Sequence, residues 1–201
     1  MPIIQRTTFP VSDTFSSDVL KTTVSIAKET TGYISSFHGV QVENNKIGYF
    51  ISVWKSSEAY TSFVQGNDYA EFLASLKSAA SAPSEVKTHY VDVAVEAETA
   101  LLAPVTELVH FTMKADVPVE DSYDLFAELA RGLDQAPGGH PPAYWGRTGD
   151  SNEVQVYVGW DTVETHWDAV KEGTDLHGVI QKLLGMSDFV LGHTRLTKSV
   201  A

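Results

Sequence analysis

One pattern is written twice in this chain. Gly48 to Val64 (GYFISVWKSSEAYTSFV) returns as Val154 to Val170 (VQVYVGWDTVETHWDAV). Each copy is a strand-like run ending in Trp, then a helix start with Glu four residues after the Trp. Trp54 and Trp160 stand about half the chain apart, far more than the roughly 20–50 residues of solenoid and propeller repeats. Such spacing marks a duplicated domain. The 201 residues then divide into two halves of ordinary domain size.

The first half opens with an apolar strand near Ile3–Phe9, broken by Pro10. Ser17–Glu29 follows as a helix with Val19, Leu20, Thr23, Ile26 and Ala27 on one stripe. Tyr33–Val42 and Lys46–Trp54 read as a hairpin around Glu43-Asn44-Asn45. Ser56 or Ser57 caps the next helix, Phe72, Leu73, Leu76, Ala79 and Ala80 line another, and Val86–Val93 closes as a strand. The second half repeats the order. Leu108–Met113 is a strand, Asp121–Leu133 a helix, and Ala143–Thr148 pairs with Val154–Trp160 across Gly149–Asn152. Asp161 and Glu164 have capping-box spacing. Leu176, Val179, Ile180, Leu183 and Leu184 make a helix, and Phe189–Thr197 is the last strand, with His193 matching His89. Each half reads β-α-β-β-α-β, the ferredoxin-like order, so the class is α+β. The expected division is 1–95 and 105–201, with 96–104 a short apolar joint. Tyr49, Ile51 and Val53 alternate with Phe50, Ser52 and Trp54, so both sheet faces need burial. A second sheet at about 10 Å would cover the face that the helices leave open.

Charge and composition narrow the partners. A net charge of −12 argues against nucleic acid and anionic membranes, which require clustered Lys and Arg. No run of 18 apolar residues exists to cross a bilayer, and the N-terminus lacks a secretory apolar core. Zero cysteines exclude disulfides and thiolate chemistry and fit a reducing compartment. The expected location is cytoplasmic.

SVWKSSEAYTSF (Ser52–Phe63) and VGWDTVETHWDAV (Val158–Val170) resemble the corresponding stretch of the dimeric α+β barrel superfamily, and within it the antibiotic-biosynthesis-monooxygenase (ABM) group. The resemblance implies that two fused ferredoxin-like repeats form an intramolecular dimeric α+β barrel. The chain would act as a monomer with an internal pseudo-dimer, or as a homodimer. It also implies a small-molecule biosynthetic enzyme of secondary metabolism. The leading expectation is a cofactor-independent monooxygenase for an aromatic or polyketide-type, hydrophobic substrate. The alternatives are a cyclase or decarboxylase on the same scaffold, or a non-catalytic stress or structural barrel protein. Heme-degrading relatives carry a second Trp nine residues after the first and a His ten residues later; here those positions hold Phe63 and Leu73, then Ala169 and Val179. No heme is expected.

The candidate residues are few. Trp54 and Trp160 recur and suit a structural corner; the resemblance implies that an aromatic near this place also borders a substrate cavity. His38, His110 and His193 fall in strands, where an imidazole is either a hydrogen-bonded structural group or a general base. The seven histidines show no metal-pair spacing, so no metal is expected. Gly138–Gly149 (GGHPPAYWGRTG) reads as an irregular loop leading into Tyr144, Trp145 and Arg147, either a rigid turn or the mouth of an aromatic pocket. The first half has Phe37, His38 and Val40 at the matching places. The expected catalytic set is therefore His38, His110, Tyr144 and Arg147. Trp54, Trp145, Trp160 and His193 are the expected substrate contacts.

Overall fold

A computed structural model describes residues 1–12, 15–93, 98–149 and 151–200. The chain forms two compact units, Met1–Asp92 with Thr197–Ala201, and Val93–Leu196. The first contains β1 (Ile3–Pro10), α1 (Lys21–Lys28), β2 (Tyr33–Val40), β3 (Ile47–Trp54), α2 (Ser57–Gln65), α3 (Asp68–Ala79) and β4 (Lys87–Asp92). The second contains α4 (Glu98–Leu101), β5 (Val105–Met113), α5 (Tyr123–Leu133), β6 (Gly139–Arg147), β7 (Glu153–Trp160), α6 (Val163–Val170), α7 (Asp175–Met186) and β8 (Ser187–Thr194). A two-residue strand, β9 (Thr197–Lys198), returns to pair with β2 in the first unit. Of the anticipated joint, residues 96 and 97 lie outside the described residues, as does Asp150 of the second hairpin turn.

The sheets run β4-β1-β3-β2-β9 and β8-β5-β7-β6, antiparallel throughout. Leaving β9 aside, each is the ferredoxin-like order, and the class is α+β. Register makes the copies comparable residue by residue. Ile3 lies opposite Trp54 as Val105 lies opposite Trp160, so Gln5 answers to Glu107. Phe37 opposite Ile51 answers to Tyr144 opposite Tyr157, and Val40 answers to Arg147.

Both faces of β3 and β7 are buried apart from their first residues. In the first unit Phe9, Phe50 and Trp54 pack under Leu20, Phe63 and Phe72 from the helices. In the second, Val105, Val156 and Trp160 pack under Phe126, Leu129 and Leu183. The stripe of α1 is turned from the expected one: Thr23, Val24 and Ala27 face inward with Leu20, while Val19 is exposed. A short 3-10 turn over Ser17–Leu20 precedes the helix and offsets its phase.

Two local features differ from the sequence reading. The edge strand expected from Ala143 begins earlier, at Gly139, and takes in the expected loop; its register breaks between His140 and Tyr144, where Pro141 and Pro142 sit. Prolines that cannot donate to a ladder are confined to such edges and bulges. The cap of α6 is Thr162, one residue after Asp161. Its hydroxyl accepts the Thr165 N–H at 3.2 Å, and the Thr165 hydroxyl accepts the Thr162 N–H at 2.9 Å. This reciprocal cap fixes the entry of the helix that carries His166. Thr162→Ala is expected to cost about 0.5–2 kcal/mol, read as a lower urea midpoint at unchanged slope.

Candidate functional site

The two Trp corners are built alike and partnered differently. Both indoles are fully buried on the helix side of their sheets. A buried indole N–H needs an acceptor. In the first unit Trp54 Nε1 donates to Gln5 Oε1 at 3.3 Å; in the second Trp160 Nε1 donates to Glu107 Oε2 at 2.8 Å. Six residues after each Trp the helix delivers a ring, Tyr60 or His166. The edge strand opposite Gln5 and Glu107 delivers another, Tyr90 or His193. Tyr60 and Tyr90 lie 5.2 Å apart between centroids, and His166 and His193 4.8 Å apart. A Gln-Tyr-Tyr set in one unit is thus a Glu-His-His set in the other. The matching point of His193 is Tyr90, not His89, because Gln5 pairs with Tyr90 and Arg6 with His89.

The second set is a continuous polar chain. His166 Nε2 is 3.4 Å from Glu107 Oε1, and His193 Nε2 is 2.8 Å from His166 Nδ1. All three residues are buried. A buried carboxylate is tolerable where charge-assisted hydrogen bonds replace its water, and here Trp160 and His166 bracket it. Of the two ring nitrogens between His166 and His193, one donates and the other accepts. The chain is thus a polar path from the carboxylate to His193.

Glu107 and His166 also border a cavity of about 120 Å³. Its other walls are apolar and include Val109, Phe111, Leu133, Val156, Ile180 and Leu191, with Trp167 and Phe189 also in the lining. Those last two side chains are about half exposed, which places them at the cavity mouth. The first unit fills this space with rings. Phe50 stands where Val156 does, Phe63 where Ala169 does, and the fifth residue of α3 is Phe72 where that of α7 is Val179. Phe63 stacks on Trp54 at 4.7 Å and meets Phe72 edge-on at 5.0 Å. Of these exchanges, the one at Val156 falls in the cavity wall.

The residues anticipated from sequence fall in several places. Trp160 and His193 belong to the polar chain. Trp54 lies in the ring-filled first unit. His38, also there, is half-buried with Nδ1 2.9 Å from Ser199 Oγ, and its burial lowers its pKa. His110 Nε2 stands 3.5 Å from Glu153 Oε1. Arg147 binds Glu120 at 2.9 Å and the Ser151 carbonyl at 2.8 Å. Trp145 packs on Phe126 and Tyr123. Tyr144 stacks on Tyr157 at 4.9 Å, and the strand alternation puts both on the sheet face away from the helices. None of the eight expected residues lines the cavity; Trp160 and His193 stand behind Glu107 and His166, which do. Neither Glu107 nor His166 is among the sequence candidates. The signal for them lies in the repeat itself, at positions that are Gln and Tyr in one copy and Glu and His in the other.

Burial also sets an alkaline limit. It pushes the Tyr49 phenol up to about 12 and raises Tyr60 and Tyr144 as well. Below about pH 10 these phenols are neutral in both states and their contribution is constant. Above it, the unfolded chain releases protons that the native state keeps, so stability falls until the native phenols also ionise, near pH 12 for Tyr49. Each group removes up to about 1.4 kcal/mol per pH unit in that window. The expected result is a urea midpoint flat from about pH 8 to 9.5 and falling steeply above about pH 10.

No family model and no curated protein matches the chain at the level of sequence. Solved structures do match in fold. A candidate monooxygenase from Lactobacillus acidophilus superposes with a TM-score of 0.67 at 16% identity, covering 99% of this chain and 96% of that one. A candidate monooxygenase from Fusobacterium nucleatum gives 0.70 at 10% identity, covering 98% and 94%. An anthrone oxidase-like protein gives 0.71 at 13% identity, covering 98% and 91%. Among the described residues no helix is long and apolar enough to cross a membrane. At these identities the likeness is one of fold: the chain has the tandem ferredoxin-like α+β fold of these monooxygenase-named structures.

Proposed function

We propose that the protein is an enzyme that takes a small aromatic molecule into the second-unit cavity and oxygenates it without a bound cofactor, as a cofactor-independent monooxygenase. One observation carries this reading: an apolar cavity whose polar wall is the buried Glu107–His166 pair. The same fold in proteins named for monooxygenase and anthrone oxidase chemistry supports the reaction class.

Such chemistry asks little of a protein. Glu107, hydrogen-bonded by Trp160 and backed by His166, takes the proton of an acidic C–H or phenol. His166 and His193 hold the carboxylate in place through the polar chain. The apolar walls exclude water, so the carbanion persists long enough to give an electron to dioxygen. Recombination forms a hydroperoxide, and loss of water leaves a carbonyl. One oxygen atom stays in the product and the other leaves as water.

Cavity size sets the substrate scale. A volume of about 120 Å³ is close to the roughly 150 Å³ that accommodates benzene. One ring fits; a fused polyketide enters when Trp167 and Phe189 swing aside at the mouth. The test is oxygen uptake with monocyclic hydroquinones and with anthrone, in air and under argon. Oxygen-dependent product formation is expected, faster for the single-ring series. Consumption that proceeds equally under argon would move the protein to the cyclase or decarboxylase class. No consumption of either series would favour a binding or structural role.

A further inference from the structure

We propose that Glu107, His166 and His193 together form a binding site for one divalent first-row transition-metal ion, with Zn²⁺ or Co²⁺ as the fitting probes. One carboxylate oxygen and one nitrogen from each histidine lie within 4.8 Å of one another, and all three residues are buried. The His166 ring lies between the other two donors, Nε2 toward Glu107 at 3.4 Å and Nδ1 toward His193 at 2.8 Å, so it offers the ion one of its two nitrogens and gives up the hydrogen bond made through that nitrogen. The donors come from β5, α6 and β8 and are fixed independently, so their convergence is a property of the fold. Two imidazoles and one carboxylate select zinc, cobalt or iron over magnesium or calcium, which take oxygen ligands.

Two further observations point the same way. The second oxygen of Glu107 is held by the Trp160 N–H at 2.8 Å, the outer hydrogen bond that orients a ligating carboxylate. The first unit replaces all three donors at once, with Gln5, Tyr60 and Tyr90. A base needs Glu107 and His166, which border the cavity; the buried imidazole of His193 behind them completes a three-donor set. Metal uptake would displace the proton shared by the two histidines. It would also occupy the groups of the proposed base, so the ion acts on the metal-free reaction as an inhibitor.

The site shares residues with the base proposed above, so binding is read without substrate. Untagged full-length chain, stripped with chelator, is titrated with Co²⁺ and followed by its visible d–d bands, then with Zn²⁺ by calorimetry. The expected result is one ion per chain at micromolar or tighter affinity, with no response to Mg²⁺. Glu107→Gln and His193→Gln, close in size to the residues they replace, should each weaken uptake by more than the roughly 10–100-fold that loss of an outer partner gives. If His193→Gln fails to fold, Glu107→Gln alone decides, since it keeps an acceptor for Trp160. No stoichiometric uptake, or uptake unchanged in the variants, overturns the proposal. Turnover by the stripped protein is a separate reading: its absence counts against the base and leaves the titration fully interpretable.

Discussion

Val156→Phe should close the second-unit cavity and lower turnover of any accepted substrate by on the order of 100-fold, a loss of about 2.7 kcal/mol of transition-state stabilisation, while the protein stays folded. Val156 is buried and forms part of the cavity wall. Its counterpart Phe50 already packs edge-on against Phe72 at 6.1 Å in the first unit. Inserting a ring into a filled core usually costs about 1–3 kcal/mol, but here part of the ring enters empty space and the cost is offset. The measurement is paired: a urea midpoint within about 1 kcal/mol of the parent, and oxygen uptake that no longer depends on substrate. Full activity in a folded Val156→Phe protein would place the reaction elsewhere. The complementary change, Phe63→Ala in the first unit, is not expected to create a second site, because Gln5, Tyr60 and Tyr90 supply no carboxylate.

The fold is legible because duplication writes it twice. The Trp-terminated strand and the capped helix after it are local signals, set by alternation and by hydrogen bonding at a helix start. They recur with the same spacing, and the element order follows. The first residues of the edge strand, Gly139 to Pro142, escape a local reading because two adjacent prolines look like a loop, and only pairing with β7 shows the bulge that absorbs them. The cavity residues are not legible in the sequence candidates, and two of the residues behind them are. Trp160 stands out because it recurs, and His193 because imidazole in a strand is chemically loaded. Glu107 and His166 stay hidden for one physical reason: matching His193 to His89 slips the last strand by one residue. A one-residue slip exchanges the two faces of a strand. With Tyr90 as the true counterpart, the three divergent positions lie together on the helix side of the sheet. Tyr144 and Arg147 draw attention through an unusual composition, but alternation sends Tyr144 to the other face, and Glu120 holds Arg147 at 2.9 Å.

Glu107→Gln is expected to lower turnover by about 10²–10⁴-fold, the range for removing a general base, with little change in stability. The amide keeps the shape and an oxygen for the Trp160 N–H, as Gln5 does for Trp54, but it has no charge with which to take a proton. The stability side has a definite sign. Replacing one member of a buried ionic pair is costly when it strands the other charge, about 3–5 kcal/mol. His166 avoids that cost by exchanging roles: the introduced amide NH2 donates to its Nε2, and its Nδ1–H donates to His193 Nε2. The variant should therefore unfold within about 1 kcal/mol of the parent, whereas Glu107→Ala leaves the indole N–H without this acceptor and should lose roughly 1–3 kcal/mol more. Kinetics separate the base from a merely structural carboxylate. A base removed from the reacting centre lowers kcat and kcat/KM together and abolishes the acid limb of the pH profile. A structural defect would instead raise KM and lower the urea midpoint in parallel. Wild-type kcat in a stable Glu107→Gln protein would mean that the proton goes to another acceptor, and the chain through His166 and His193 would then be an architectural tie across β5, α6 and β8.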